Sequence, residues 1–391
     1  MVYVISKNGQ ALMPTTRHRK VRLWLKSGKA KVISRAPFTI QLLFETGDVT
    51  QDLTLGMDTG FEIVGVSVVS EKREVFSAEI QLRKDVSDKM TERRMYRRNR
   101  RNRLWHRKPR FLNRKKTQVL APSVKQKVDS HLRIIDLLKS RLAITKVIIE
   151  TGSFDPHKLK KPDVTGKAYQ QGEQYGYENV KAYVLARDQH QCQAGKKGCK
   201  PVLNVHHIKF QSQGGSDSPD NLMTLCEKHH EQLHAGKLKL NVKKHKSLKS
   251  ATLMNIIRSQ LLKTMQSAVE TFGYITKAKR QEQNLEKTHT TDAFIIAGGL
   301  KKQRFQTFKF FFKRKNNRSL QKNRKGFAPS IRKQRYSIQP HDLVVWQGKQ
   351  YKAIGIQNKG TYLKMTDGVK TVVKSVKQIQ VVFHQKTLVS V

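Results

Sequence analysis

Residues 52–82 read DLTLGMDTGFEIVGVSVVSEKREVFSAEIQL, and their pattern decides the fold class. Three apolar runs, beginning at Leu53, Ile63 and Val75, are separated by Asp-Thr-Gly and by a charged Ser-Glu-Lys-Arg turn. Strand–turn–strand–turn–strand of this kind predicts a meander opening an α/β domain. Towards the N-terminus, residues 1–52 alternate apolar and polar (VYVI, VRLWL, AKVIS, FTIQLLF) around Gly9, Gly28 and Gly47, which predicts a small β-rich or α/β module. Towards the C-terminus, Val124, Val128, Leu132, Ile135, Leu138 and Leu142 keep helical spacing over 121–145 and lead into a strand, KVIIE, ending at Glu150. Residues 152–180 lack periodicity and read as a linker. A helix is expected over 249–272, and 336–391 return to period-two alternation, predicting a small sheet or barrel.

Composition narrows the function. Lys and Arg number 78 against 29 Asp and Glu, a formal net charge of +49. Self-repulsion of this size disfavours a compact state unless a polyanion neutralises it. Apolar residues are 37% of the chain, and no apolar run approaches the ~18–20 residues that span a bilayer. The N-terminus shows no secretory signal, and three cysteines in a long chain point to a reducing compartment. A membrane protein, a small-metabolite enzyme and a disulfide-built secreted module are disfavoured; nucleic acid is the expected partner.

The charge is concentrated. From Arg93 to Lys116, 13 of 24 positions are Arg or Lys, in a helix-favouring run that Pro109 ends or kinks. Arg93, Arg94, Arg97, Arg98, Arg100, Arg101, Arg103 and Arg107 surround the helix and leave no apolar stripe to pack, so nucleic acid on several sides is the preferred reading over a solvated basic face. Tyr96 and Trp105 either stack on bases or pack.

A compact Cys/His-rich unit spans roughly 181–236, with CQAGKKGC at 192–199 and VHHIKFQSQGGSDSPDNLMTLCEKHHEQLH at 205–234. Cys192, Cys199, Cys226 and His229 supply three sulfurs and one imidazole, a set suited to a structural zinc; the bland alternative is three incidental buried cysteines. The array His206-His207, Asn221 and His230 resembles the HNH (ββα-metal) nuclease signature. The resemblance implies that His206 and His230 hold one divalent cation, that His207 is the general base for the attacking water, and that Asn221 braces the loop.

The scarce acids carry a second pattern. Asp58 lies in LGMDTG at a strand end, Glu150 ends KVIIE, and Asp292 follows His289 in HTTDA at a helix start. Singly each reads as a turn or cap residue; on one face, three carboxylates require bridging cations, as in two-Mg²⁺ nucleases. In this order they resemble the RuvC subtype of the RNase H fold. That resemblance implies Asp58, Glu150 and Asp292 as Mg²⁺ ligands, with His289 positioning water or assisting proton transfer.

A RuvC domain interrupted by an Arg-rich helix and an HNH insert resembles the IscB family of transposon-encoded RNA-guided endonucleases. ALMPTTR (11–17) is similar to the family's short N-terminal motif, with Ala11 where the family often has Pro. RRMYRRNRRNR (93–103) resembles its bridge helix, and TFGYITKAKR with LEKTHTTDA its third RuvC segment. The implied fold is α/β and multidomain: an RNase H-like (RuvC) core split in three, a ββα-metal HNH insertion, an Arg-rich bridge helix and small β-rich terminal modules. Expected boundaries are 1–52 for the N-terminal domain, 53–90, 119–160 and 246–315 for the three RuvC segments, 91–118 for the bridge helix, 161–245 for the linker and HNH domain, and 316–391 for a C-terminal target-motif-interacting domain. The implied activity is cutting of double-stranded DNA under an omega-type guide RNA, HNH on the guide-paired strand and RuvC on the displaced strand. Implied cofactors are Mg²⁺ or Mn²⁺ at both sites and one structural Zn²⁺, in a monomeric ribonucleoprotein of the prokaryotic cytoplasm. The alternatives are a protein-only structure-specific DNA endonuclease and a non-catalytic RNA-binding protein.

Overall fold

A computed structural model describes residues 1–35, 37–47, 49–102, 120–213, 215–240, 248–313, 336–385 and 388–390. They form two compact units, one made of Met1–Gly152 with Ile256–Val391, the other of Ser153–Asn255. The α/β multidomain expectation is met. No helix among the described residues is long and apolar enough to cross a membrane.

In the first unit, β1 (Tyr3–Ile5), α1 (His18–Lys26), β2 (Ala30–Arg35) and β3 (Phe38–Leu42) make a three-stranded module with strand order β1-β3-β2. Tyr3 anchors it: the ring is buried edge-on to Phe76, and the hydroxyl donates to the Val75 carbonyl at 3.1 Å. The meander follows as β4 (Leu53–Asp58), β5 (Ile63–Val69) and β6 (Glu74–Gln81). Next come α2 (Val86–Asn102), α3 (Pro122–Lys139) and β7 (Ile144–Glu150). Apolar residues run almost unbroken along β4 and β5 because both faces of these strands are covered.

The second unit starts with α4 (Pro156–Lys160). The segment read as a linker is organised around Asp155, which accepts from the His157 and Lys158 amides at 2.9 and 3.1 Å and from the Tyr169 hydroxyl at 2.7 Å. Then come α5 (Val180–Arg187), β8 (Leu203–His207), β9 (Leu222–Cys226) and α6 (Glu227–His234), with β8 and β9 an antiparallel pair. Arg187, at the end of α5, donates to the Pro219 and Leu222 carbonyls at 2.8 and 2.9 Å and so fixes the turn entering β9.

Helix α7 covers Lys249–Thr264 and stops short of the expected 272; Val269–Thr271 instead form β10, because VET pairs in parallel with β7. After it stand α8 (Gly273–Glu282), α9 (His289–Ile296) and β11 (Thr307–Phe312). The C-terminal sheet contains β12 (Leu343–Trp346), β13 (Lys349–Gln357), β14 (Tyr362–Thr366), β15 (Thr371–Ser375) and β16 (Gln380–Phe383). Fully buried Asp342 secures it, accepting from the Gln339 and Gln385 amides at 2.9 Å each. β17 (Leu388–Ser390) leaves that sheet and pairs with β11.

The central sheet has seven strands in the order β10-β7-β4-β5-β6-β11-β17. β4, β7 and β10 are mutually parallel, whereas β5 runs antiparallel between β4 and β6. The parallel pairing puts Asp58 opposite Glu150 and Thr271 opposite Glu150, so three strand ends open on one edge. The antiparallel pairing puts Gly65 opposite Asp58. Gly56 and Gly65 form a bare track on which α9 lies: a Cβ on Gly56 would come 2.5 Å from the Ala297 amide nitrogen, and one on Gly65 would overlap the His289 carbonyl.

Candidate active sites

The first candidate site lies on that sheet edge. Asp58 ends β4 and Glu150 ends β7, while Thr288 caps α9, its side chain accepting from the Thr291 amide at 3.0 Å. Capping presents His289 and Asp292 in the first turn, and the His289 Nδ1–H donates to Asp58 Oδ2 at 2.6 Å. Two residues of α8 complete the edge, at i and i+4 on one helical face. The Thr276 hydroxyl donates to Glu150 Oε2, and the buried Arg280 guanidinium pairs with Asp292 Oδ1 at 2.5 Å. The Thr59 hydroxyl holds the Glu150 carbonyl at 2.6 Å.

Burial pushes the Glu150 carboxyl up to about 7; the charges of Asp58 and Asp292 add to this, while Thr276 and Arg280 oppose it. The hydrogen bond to Asp58 raises His289 above the ordinary imidazole range. The expected residues Asp58, Glu150, His289 and Asp292 are thus linked through one sheet edge. The donor set is three carboxylates on one sheet edge, with Arg280 on Asp292 and His289 on Asp58, and carboxylate oxygens are the ligand type a hard divalent metal prefers.

The second candidate site is built on the β8–β9 hairpin and α6. Alternation along β8 sends His206 and His207 to opposite faces. His206 is buried, and its ring meets those of His230 and His234 with centroids 5.1 Å away in both cases. His206, His230 and His234 each offer a nitrogen within a 4.8 Å cluster. Burial pushes His206 down to about 4, with His230 and His234 adding to it, and burial also lowers His230. Neutral imidazoles with free lone pairs are the chemistry of a metal ligand. His207 instead turns to Asp217, its Nε2–H donating to Oδ1 at 2.8 Å, and Gln211 Nε2 donates to the same oxygen at 2.8 Å. This fixes the tautomer and leaves Nδ1 as the basic atom. Asn221 closes the loop, accepting from the Lys209 amide at 3.0 Å and donating to the Lys209 and Ser216 carbonyls at 3.1 and 2.8 Å.

Beside it, Cys192, Cys199, Cys226 and His229 form a second cluster. Their sulfurs lie 3.5, 3.7 and 3.2 Å from His229 Nδ1. Burial pushes the Cys226 thiol up, but hydrogen bonds from the His229 and Lys200 amides and from the Cys192 and Cys199 thiols together hold it below its ordinary value. Three thiols and one imidazole converging on one point fit a tetrahedral zinc.

His234 and Asp217 were not singled out by sequence reasoning, nor were Thr276 and Arg280. His234 follows His230 at i+4, a spacing visible in HHEQLH. The pairing of Asp217 with His207 has no such spacing signal. Of the basic helix, Arg93, Arg94, Arg97, Arg98 and Arg101 are exposed on α2, none of whose described side chains is buried. Arg100 lies on α2, its side chain outside the described set; Arg103, Arg107, Trp105 and most of the basic 301–335 stretch lie outside the described residues.

Residues 2–172 match the family of RRXRR proteins, and residues 192–236 match the HNH endonucleases. No curated protein matches the chain. Among solved structures, Streptococcus thermophilus Cas9 in complex with the AGAA PAM aligns at 13% identity and a TM-score of 0.33, covering 55% of this chain and 32% of that one. The type IV phosphorothioation-dependent restriction endonuclease ScoMcrA aligns at 18% identity and a TM-score of 0.14, over 34% of this chain and 30% of its own. The chain therefore spans about a third of the length of either. The chain thus carries an HNH endonuclease domain over residues 192–236. Its pairing of an RRXRR segment with an HNH domain fits the IscB-like RNA-guided endonucleases.

Proposed function

We propose that the protein is an RNA-guided endonuclease with two centres, an RNase H-like site of the RuvC type at the sheet edge and an HNH site on the β8–β9–α6 unit. The observation that carries this reading is the meeting of Asp58, Glu150, His289 and Asp292 from three separate elements, β4, β7 and α9. It stands alongside an independent imidazole site inside the segment matching HNH endonucleases. The strand order β6-β5-β4-β7-β10, with only β5 reversed between β6 and β4, supports the RNase H-like assignment.

Asp58, Glu150 and Asp292 would hold Mg²⁺ or Mn²⁺ at the first centre; His206 and His230, joined by His234, would hold a divalent cation at the second. When bound, these ions supply charge neutralisation at the phosphoryl oxygens and acidify the attacking water. At the HNH centre, Asp217 orients His207 so that Nδ1 takes the water's proton. At the RuvC-type centre, His289 shares its Nδ1 proton with Asp58 and keeps Nε2 for proton transfer. Cys192, Cys199, Cys226 and His229 would hold a structural zinc that fixes the start of α6 and thereby His230. Arg93, Arg94, Arg97, Arg98, Arg100 and Arg101 grip phosphates of the guide RNA, with pairing between guide and target supplying sequence recognition.

The test is purification from cells expressing the native locus, followed by sequencing of bound RNA and strand-resolved cleavage of a matching duplex. One discrete structured RNA, with the guide-paired strand cut at the HNH centre and the displaced strand at the RuvC-type centre, supports the reading. A random RNA mixture, with cutting that needs no RNA, supports the protein-only alternative.

A further inference from the structure

The carboxylate centre uses only one face of α8. Thr276 and Arg280 turn inward to Glu150 and Asp292, whereas Tyr274 and Lys277, three residues apart, occupy the outer face. Tyr274 is 73% exposed, an unusual setting for a large ring placed so close to the chemistry. It is held, however: its ring lies nearly parallel to that of Phe272, with 9° between the planes and centroids 6.2 Å apart. Between the two rings sits Gly273, where even a Cβ would come 3.2 Å from Glu150 Oε1. The backbone carrying the aromatic pair therefore passes beside a carboxylate of the centre, with little room for a side chain between them. Lys277 is exposed, and no acid pairs with it among the described residues.

We propose that Tyr274, backed by Phe272, is a stacking platform for one unpaired base of the DNA strand cut at the carboxylate centre, with Lys277 taking a neighbouring phosphate. This rests on the two-centre reading above. A base inside a duplex has both faces covered by its neighbours, so an open ring beside the reacting phosphate gains only from a single strand. The flanking aromatic and ammonium groups suit that ligand in any sequence, because every base has a π-face and every nucleotide a phosphate. Tyr274 is thus a positioning residue: it holds the strand so that one phosphate faces Glu150 and Asp58.

The test uses the ribonucleoprotein purified with its own RNA, in a His207→Ala background, on a duplex matched to that RNA. The strand nicked at the carboxylate centre carries a single 2-aminopurine or a single abasic nucleotide, moved along the sequence. Tyr274→Ala is expected to slow that nick roughly 5- to 150-fold, the range of one lost base–aromatic stack. Tyr274→Phe should restore it, which a lost hydroxyl contact would not allow. At one position 2-aminopurine should be quenched by Tyr274 and brighten in Tyr274→Ala, a signal that is also readable in cleavage-dead Asp58→Ala. An abasic nucleotide there should slow the parent protein and add nothing to Tyr274→Ala. Additive losses, an unchanged nick rate, or loss of co-purified RNA in Tyr274→Ala would overturn the platform, the last by assigning the ring to the guide instead. If Asp58→Ala leaves the nick intact, the two-centre reading itself falls, and the platform with it.

Discussion

Gly65→Ala tests the packing that assembles the carboxylate centre. An alanine methyl at this position would fall about 1.5 Å inside ordinary contact with the His289 carbonyl and 3.0 Å from the His289 Cβ. The strand cannot yield, because β5 is paired on both sides, to β4 and β6. Helix α9 must therefore lift. It also rests on Gly56, with Ala297 Cβ 2.9 Å from the position of an added methyl, so it has no room to pivot inward. A lift of that size takes His289 Nδ1 from 2.6 Å to about 4 Å from Asp58 Oδ2, past hydrogen-bond reach. Misplacement by about 1 Å costs on the order of 100-fold in rate, and overpacking costs about 1–3 kcal/mol of stability. The assay is cleavage of a duplex labelled separately on each strand, alongside thermal melting. The nick at the carboxylate centre should fall roughly 100-fold, while the cut at the imidazole centre stays unchanged and reports that the protein is folded. Gly47→Ala, in open space, should alter neither. If Gly65→Ala nicks at the parent rate with an unshifted melting temperature, α9 is not seated on the glycine track and this account of the site is wrong.

Other expectations follow from single residues. His207→Ala should remove the HNH cut by about 100-fold or more and leave the other strand nicked, since the general base is lost without touching the carboxylates; continued cutting of both strands would reassign the base. Asp58→Ala should give the opposite nick, and loss of RNA binding instead would make Asp58 structural. Elemental analysis of the full chain should find one zinc per molecule, lost in Cys226→Ser together with several degrees of thermal stability; a metal content indifferent to Cys226 would remove the tetrad. His131 is fully buried on α3, where burial pushes it down to about 4 despite its hydrogen bond to the Lys127 carbonyl at 2.8 Å. Between pH 6.5 and 4 the unfolded chain takes a proton that the folded one does not, so stability falls with acidification, by about 3 kcal/mol at ~1.4 kcal/mol per pH unit. His131→Leu should flatten that part of a denaturant-midpoint against pH curve, and an unaltered slope would place the effect elsewhere.

Sequence reasoning singled out those candidate residues whose placement depends on local pattern. Asp58, Glu150 and Asp292 are each readable as a strand end or helix start because alternation, a Gly turn and a Thr cap are local signals. Their partners are not local. Arg280 and Thr276 face inward because β10 pairs with β7 and delivers α8 to that edge, and VET read by itself continues the preceding helical pattern. The departure of β17 to β11 is hidden for the same reason: a three-residue apolar strand carries no record of which sheet it joins. Asp217 was passed over because, in a loop of Ser, Gly and Asp, a turn carboxylate has no pattern until the fold brings His207 to it.

The two centres solve opposite electrostatic problems, and this explains why the acids were more informative than the bases. A net charge of +49 does not relieve the carboxylate cluster, because exposed charges beyond about 8 Å are screened at physiological salt. Arg280 pairs with Asp292 and His289 with Asp58, yet burial keeps Glu150 pushed up to about 7. Burial first, and the charges of Asp58 and Asp292 after it, disfavour the ionised Glu150, a cost that a hard cation entering there would offset. At the imidazole centre burial disfavours protonation of His206 and His230, which leaves lone pairs that a metal would use. The two candidate centres thus differ in donor chemistry, carboxylate oxygens at the first and imidazole nitrogens at the second.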